Sequence, residues 1–144
     1  MSGLEEEREK DMTKILIVDD EEDVRIALKQ VLERAGYEVS VAATGNEGLD
    51  LMKQEAADLV ITDVIMPGID GTTTARKIRE KYRDTRIIVI SGGGKAAPDA
   101  YEPDAISTRS YLASASSAGA DRTLTKPFDR NEILHVVRSL LEES

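Results

Sequence analysis

The sequence predicts an α/β fold in which helices cover both faces of a parallel sheet. Short apolar runs rich in β-branched residues recur along the 144 residues, and such runs are typical of strands buried on both faces. Segments with apolar residues at helical spacing lie between these runs. Because strands and helices alternate, we expect right-handed helical crossovers that make neighbouring strands parallel.

Five segments are predicted as strands. The first, third and fourth are continuous apolar runs, the second alternates weakly, and the fifth is short. In chain order they cover residues 14–19, 37–42, 58–63, 86–91 and 122–125.

Five helices are predicted between and after these strands. The first has a core stripe of Val24, Leu28 and Val31, and Gly36 ends it. The predicted helices cover residues 22–35, a stretch capped by Asn46 that runs to about Glu55, residues 72–82, a marginal stretch starting near Asp104 or Ser107, and a last stretch capped by Asp129 or Asn131. The fold class is therefore a flavodoxin-like doubly wound five-stranded parallel sheet with five helices.

The composition excludes several kinds of site. There are 19 basic and 28 acidic residues, so the net charge of -9 opposes direct binding to nucleic acid. The absence of cysteine removes disulfides and thiolate chemistry, and the single His135, predicted to be solvated, cannot form a histidine metal cluster. A bound metal should therefore be a hard cation held by oxygen.

The chain is predicted to have one domain. Residues 1–13 are Glu-rich and read as a solvated N-terminal leader, and residues 14–144 form the domain. No apolar run approaches the roughly 20 residues that span a bilayer, so we expect a cytoplasmic protein without membrane contact.

Polar residues stand at the ends of four predicted strands: Asp19 and Asp20, Asp63, Ser91 and Lys126. Because carboxyl ends of parallel strands meet at one sheet edge, we expect these side chains to lie together. Three adjacent carboxylates repel one another unless a cation neutralises them, and Mg²⁺ prefers such oxygen ligands. Lys126 and Ser91 suit a phosphoryl group, and Asp63 on the central run is the best candidate to accept it covalently.

Four segments, in this order and at these strand ends, resemble the receiver domains of bacterial two-component response regulators. The resemblance extends over about residues 14–142, and its segments are ILIVDDE (15–21), DLVITDVIMPGIDG (58–71), RIIVIS (86–91) and TKPF (125–128).

The resemblance implies a role for each strand-end residue. Asp63 matches the phosphoacceptor, and Ser91 and Lys126 match the residues that contact the phosphoryl group. Asp19, Asp20 and Asp63 match the carboxylates that hold Mg²⁺, with the backbone carbonyl of Ile65 as a further ligand. The resemblance also places Gly68 and Gly71 in the loop after the acceptor and implies a cis bond between Lys126 and Pro127.

The predicted function is that of a stand-alone receiver rather than an enzyme with its own substrate. A sensor histidine kinase or a histidine phosphotransfer protein would supply the phosphoryl group, and the domain would assist its own phosphorylation and dephosphorylation. The output would be binding of a still unknown partner protein, or action as a phosphate sink. We expect a monomer or a weak homodimer.

Two departures from the family pattern leave alternatives open. Thr123 stands where family members usually carry an aromatic switch residue, and the 35 positions from Ser91 to Lys126 exceed the usual length. We predict that the stretch 92–110 replaces the missing ring as the moving part. One alternative is a receiver-like interaction module that is not phosphorylated. The other is an aspartyl phosphatase, although Glu21 stands where such enzymes usually have Asp and no cap domain is evident.

Overall fold

The computed structural model describes residues 12–64, 71–91 and 119–142 of the chain. Five strands form one parallel sheet in the order β2-β1-β3-β4-β5, which confirms the predicted fold class. The strands are β1 (Lys14–Val18), β2 (Glu38–Ala42), β3 (Leu59–Asp63), β4 (Arg86–Ser91) and β5 (Arg122–Thr125). The predicted bounds hold for β4 and β5, and differ by one residue at one end of each other strand.

Four helices occur in the described part of the chain. They are α1 (Glu22–Arg34), α2 (Gly45–Gln54), α3 (Gly71–Lys81) and α4 (Arg130–Glu142). The helix predicted to start near Asp104 or Ser107, and the mobile role predicted for the stretch 92–110, lie outside the described residues. Most of the predicted leader lies outside them as well.

The cap of α2 differs from the prediction. Thr44, not Asn46, caps this helix, because its hydroxyl oxygen accepts a hydrogen bond from the Glu47 N–H at 3.1 Å. The Glu47 carboxylate in turn accepts from the N–H of Ala43, the residue before the cap, at 2.6 Å, so Glu47 bonds to both residues that lead into the helix. Asn46 lies inside the first helical turn.

The prediction for the last helix holds. The Asp129 carboxylate accepts from the Glu132 N–H at 2.8 Å, and Glu132 accepts from the Asp129 N–H at 3.1 Å. The cap of α4 is therefore Asp129 and not Asn131.

The core has two layers, one on each face of the sheet. α1 and α4 cover one face, where Leu28, Leu32 and Val137 pack against buried isoleucines of the central strands. α2 and α3 cover the other face through Met52 and Ile78. His135 is exposed on α4, as predicted. None of the helices in the described residues is both long and apolar enough to cross a membrane.

Candidate functional site

Three carboxylates meet at the carboxyl edge of the sheet. Asp63 is the last residue of β3, and Asp19 follows β1, where its N–H still donates to the Ala42 carbonyl at 3.1 Å. Asp19, Asp20 and Asp63 each offer an oxygen atom, and these oxygens all lie within 4.8 Å of one another. Asp19 and Asp63 are buried, with 2% exposure each, and Asp20 is the most exposed of the three.

Lys126 faces this cluster from the end of β5. Its ammonium nitrogen lies 3.5 Å from Asp63 Oδ2 and 3.7 Å from Asp19 Oδ2. The Lys126 N–H donates to the Ser91 carbonyl at 3.0 Å, which continues the ladder between β4 and β5. The peptide bond between Lys126 and Pro127 is cis, as the resemblance implied.

Glu21 is a further member of the site, to which the sequence assigned no binding role. Its carboxylate lies 3.3 Å from the Lys126 ammonium, and its N–H donates to Asp19 Oδ1 at 2.8 Å. Its place directly after Asp19 and Asp20 was visible in the sequence. Its contact with Lys126 was not, because the two residues are 105 positions apart.

The pKa values of Asp19 and Lys126 are both raised. Burial raises the pKa of Asp19 to about 6, and the nearby Asp63 carboxylate also raises it. The hydrogen bond from the Glu21 N–H and the charge of Lys126 act in the opposite direction and lower this pKa. Burial lowers the pKa of Lys126, but the carboxylates of Asp19, Asp63 and Glu21 outweigh burial and raise it. Lys126 therefore stays cationic, and among the described residues its ammonium faces the carboxylates of Asp19, Glu21 and Asp63.

These residues fit a hard divalent cation. The donor set consists of carboxylate oxygens, which Mg²⁺ prefers, and burial, with the nearby Asp63 carboxylate, raises the pKa of Asp19, so a bound cation would stabilise its charged form. Asp19, Asp20 and Asp63 would hold the ion. The carbonyl of Ile65, predicted as a further ligand, lies outside the described residues, as does Gly68.

Ser91 on β4 and Thr123 on β5 differ in their exposure to solvent. Ser91 is buried as the last residue of β4 and pairs with Thr125, directly before Lys126. Thr123 is exposed on β5 and pairs with Val89, so the position of the expected aromatic ring holds a small solvent-facing side chain.

Gly71 lies closer to the end of β3 than the sequence suggested. It is the first residue of α3 rather than part of the preceding loop, and its N–H donates to the Val64 carbonyl at 2.8 Å. A β-carbon built on Gly71 would lie 1.7 Å from the Asp63 carbonyl oxygen. Only glycine therefore allows α3 to start against the end of β3.

The doubly wound sheet, with its acidic cluster and facing lysine at the carboxyl edge, defines a protein that can bind a hard cation and a phosphoryl group. A family profile described as "Response regulator receiver domain" matches residues 15–138. The chain belongs to this family.

Similar proteins agree with this assignment. The chain is 36% identical over 131 residues to the response regulator MprA of Mycolicibacterium vanbaalenii, an alignment that covers 91% of this chain and 51% of that protein. It is 34% identical over 132 residues to the transcriptional regulatory protein ResD of Bacillus subtilis, covering 92% of this chain and 49% of ResD. The chain thus spans about half the length of these curated relatives.

Solved structures show the same fold. The crystal structure of a CheY-like response regulator receiver domain protein from Methanospirillum hungatei superposes with a TM-score of 0.78 at 30% identity, covering 92% of this chain and 95% of that one. The chemotaxis protein CheY4 of Vibrio cholerae gives 0.74 at 28% identity, covering 90% and 98%.

Proposed function

We propose that this receiver accepts a phosphoryl group on Asp63, with Mg²⁺ held by Asp19, Asp20 and Asp63. One observation carries the proposal. The buried Asp63 carboxylate lies 3.5 Å from the Lys126 ammonium and within 4.8 Å of carboxylate oxygens of Asp19 and Asp20. A nucleophilic carboxylate beside a fixed cation and a metal-binding cluster is the arrangement that phosphoryl transfer to aspartate requires.

The reaction follows from the placement of these groups. An Asp63 carboxylate oxygen attacks the phosphorus of a phosphohistidine, so a P–O bond forms and the P–N bond breaks. The electron pair of the P–N bond goes to the ring nitrogen, which leaves as neutral imidazole because the other ring nitrogen carries a proton. Mg²⁺ held by Asp19, Asp20 and Asp63 would supply positive charge that offsets the negative charge of the phosphoryl oxygens.

Two side chains of the protein assist the transfer. The Lys126 ammonium balances negative charge on the incoming oxygens, and the Ser91 hydroxyl at the end of β4 donates a hydrogen bond to one of them. Under this proposal the domain assists its own phosphorylation and dephosphorylation and is not an enzyme with a separate substrate.

The donor in this proposal is a sensor histidine kinase or a histidine phosphotransfer protein. The signal passes by phosphorylation-dependent binding of a partner protein, or the domain acts as a phosphate sink. The stand-alone arrangement, the cytoplasmic location, the monomeric or weakly dimeric state and the absence of nucleic-acid binding stay predictions from the sequence.

The test is the intact mass of the protein after incubation with acetyl phosphate and Mg²⁺. We expect one phosphoryl adduct in the wild type and none in Asp63→Ala, because this substitution removes the nucleophile. Asp50→Ala is the matched control, since it makes the same substitution at an exposed carboxylate of α2 that does not belong to the cluster. This variant should form the adduct like the wild type.

The other outcomes separate the alternatives. A folded wild type that forms no adduct with or without Mg²⁺ would favour the interaction module that is not phosphorylated. Turnover of acetyl phosphate that survives Asp63→Ala would favour an enzyme whose nucleophile lies elsewhere.

A further inference from the structure

A second charged cluster lies at the edge of the sheet opposite the acidic site. It joins Arg79 of α3 to Asp121, the residue directly before β5, and to the backbone of Ile87 and Gly119. We name this cluster the β5 clamp. We infer that Arg79 and Asp121 are positioning residues that fix β5 and thereby place the Lys126 ammonium against Asp63. The relevance of this placement to phosphoryl transfer rests on the proposed function.

Asp121 holds the start of β5 with both its side chain and its backbone. One carboxylate oxygen accepts from Arg79 Nη2 at 2.6 Å and from the Ile87 N–H at 2.8 Å. The Asp121 N–H donates to the Ile87 carbonyl at 2.8 Å. Asp121 is therefore tied in both directions to one residue of β4, which defines the register in which β5 begins.

Arg79 holds the other side of the clamp. Its Nε donates to the Gly119 carbonyl at 3.2 Å, and its Nη1 donates to the Arg83 carbonyl at 2.6 Å. Gly119 has a φ of 107°, and a β-carbon there would lie 2.7 Å from Arg79 Cγ, so the chain turns directly against the arginine stem. Each of the three guanidinium nitrogens thus has a defined acceptor.

Within the part of the chain that the structure describes, β5 is held mainly by its ladder with β4 and by the contacts of the clamp. The strand has four residues, and among the residues that the structure describes it is at the edge of the sheet and pairs with β4 alone. Its side chains are exposed except for the half-buried Leu124, so packing contributes little to its register. The register therefore depends on contacts at the two ends of β5. Asp121 bonds to Ile87 directly before the strand, and the Lys126 N–H donates to the Ser91 carbonyl directly after it.

A change of register would disrupt the site. A slip of one residue moves a strand by about 3.3 Å and turns its side chains to the other face. The Lys126 ammonium lies 3.5 Å from Asp63, so a slip of that size would break the contact. α3 connects β3 to β5. Its first residue packs on the Asp63 carbonyl at the end of β3, and Arg79 near its other end holds Asp121 directly before β5.

The test compares Arg79→Gln and Asp121→Asn with the control Arg76→Gln, which makes the same substitution at an exposed position of the same helix. The first readout is the ammonium resonance of Lys126 in protein labelled with ¹⁵N-lysine, assigned by its loss in Lys126→Arg. The second is the rate of loading by acetyl phosphate, with Mg²⁺ affinity measured separately.

We expect both clamp variants to stay folded while the Lys126 resonance moves towards those of solvent-exposed lysines. Loading should fall roughly tenfold or more, because a misplacement of about 1 Å at a reacting group has effects of this size. Mg²⁺ affinity should change little, since its proposed ligands lie directly after β1 and at the end of β3. The control should match the wild type in all three measurements.

An unchanged Lys126 resonance in folded Arg79→Gln and Asp121→Asn would overturn the inference. So would failure of both variants to fold, because the clamp would then be a stability element. If only Arg79→Gln fails to fold, the Lys126 resonance of Asp121→Asn tests the inference. Asparagine keeps an oxygen that can accept from the Ile87 N–H. If the wild type takes no phosphoryl group, the proposed function fails, but the resonance still tests the clamp.

Discussion

Gly71→Ala is expected to destabilise the protein by about 3–5 kcal/mol, which is at or above the upper end of measured overpacking effects. The added β-carbon would lie 1.7 Å from the Asp63 carbonyl oxygen and 2.8 Å from Val64 Cα. Both atoms belong to the backbone at the end of the central strand, so neither can move aside as a flexible side chain would. α3 must therefore separate from β3, and the hydrogen bond from the Gly71 N–H to the Val64 carbonyl is lost as well.

Gly36→Ala is the matched control for this prediction. Gly36 has a φ of 101°, but a β-carbon there meets no atom within 4 Å. Its cost should therefore be limited to backbone strain of about 1–2 kcal/mol. Urea unfolding of the two variants measures the difference. A loss in Gly71→Ala no larger than that in Gly36→Ala would contradict the packing of α3 on the end of β3.

The two substitutions also differ in their effect on the site. Gly71→Ala displaces backbone atoms of Asp63 and Val64. The variant should therefore be less stable, and the molecules that stay folded should also take up a phosphoryl group more slowly. Gly36 follows α1 at the opposite edge of the sheet from Asp63, and its variant should load at the wild-type rate.

The sequence predicted the position of the site because strand ends are defined by local pattern. Apolar runs that end in Asp19, Asp63 and Ser91 each showed where a strand finishes, and the alternation with helices made those strands parallel. Parallel strands bring their carboxyl ends to one edge whatever the details of packing. The convergence of Lys126 with the carboxylates followed from topology alone.

Contacts that depend on side-chain geometry were beyond prediction from pattern. Arg79 and Asp121 are 42 positions apart, and neither stands in a run that marks a strand end of the site. Thr44 and Asn46 are both good helix caps by residue type, and the hydrogen bond from the Glu47 N–H to the Thr44 hydroxyl decides between them. Periodicity identifies which elements meet, but not which polar atoms of those elements bond.

Asp19→Asn is expected to stabilise the metal-free protein at pH 8 by about 2–3 kcal/mol. Burial, with the nearby Asp63 carboxylate, raises the pKa of Asp19 from 3.8 to about 6 in the folded protein. A shift of one pKa unit corresponds to about 1.4 kcal/mol, and Asp19 is almost fully buried, so solvent screening is small. Asparagine removes the buried charge and keeps an oxygen for the hydrogen bond from the Glu21 N–H.

The sign of the pH dependence follows from this raised pKa. Below the unfolded pKa of 3.8, Asp19 is protonated in both states and does not lower stability. As pH rises through about 6, the folded protein must give up the proton that its buried carboxyl retains, so wild-type stability falls. The advantage of Asp19→Asn should therefore be largest at pH 8 and should shrink as pH falls towards 4.

Mg²⁺ should reverse the order of stability of the wild type and Asp19→Asn. The Asp19 charge that destabilises the metal-free fold is the charge that binds the ion. Urea unfolding at pH 8 in chelator should rank Asp19→Asn above the wild type, and added Mg²⁺ should stabilise the wild type far more than the variant. Asp50→Asn, at an exposed position on α2, should stay within about 0.5 kcal/mol of the wild type throughout. A variant that is less stable than the wild type in chelator at pH 8 would show that Lys126 already neutralises Asp19, and that the cluster needs no further cation.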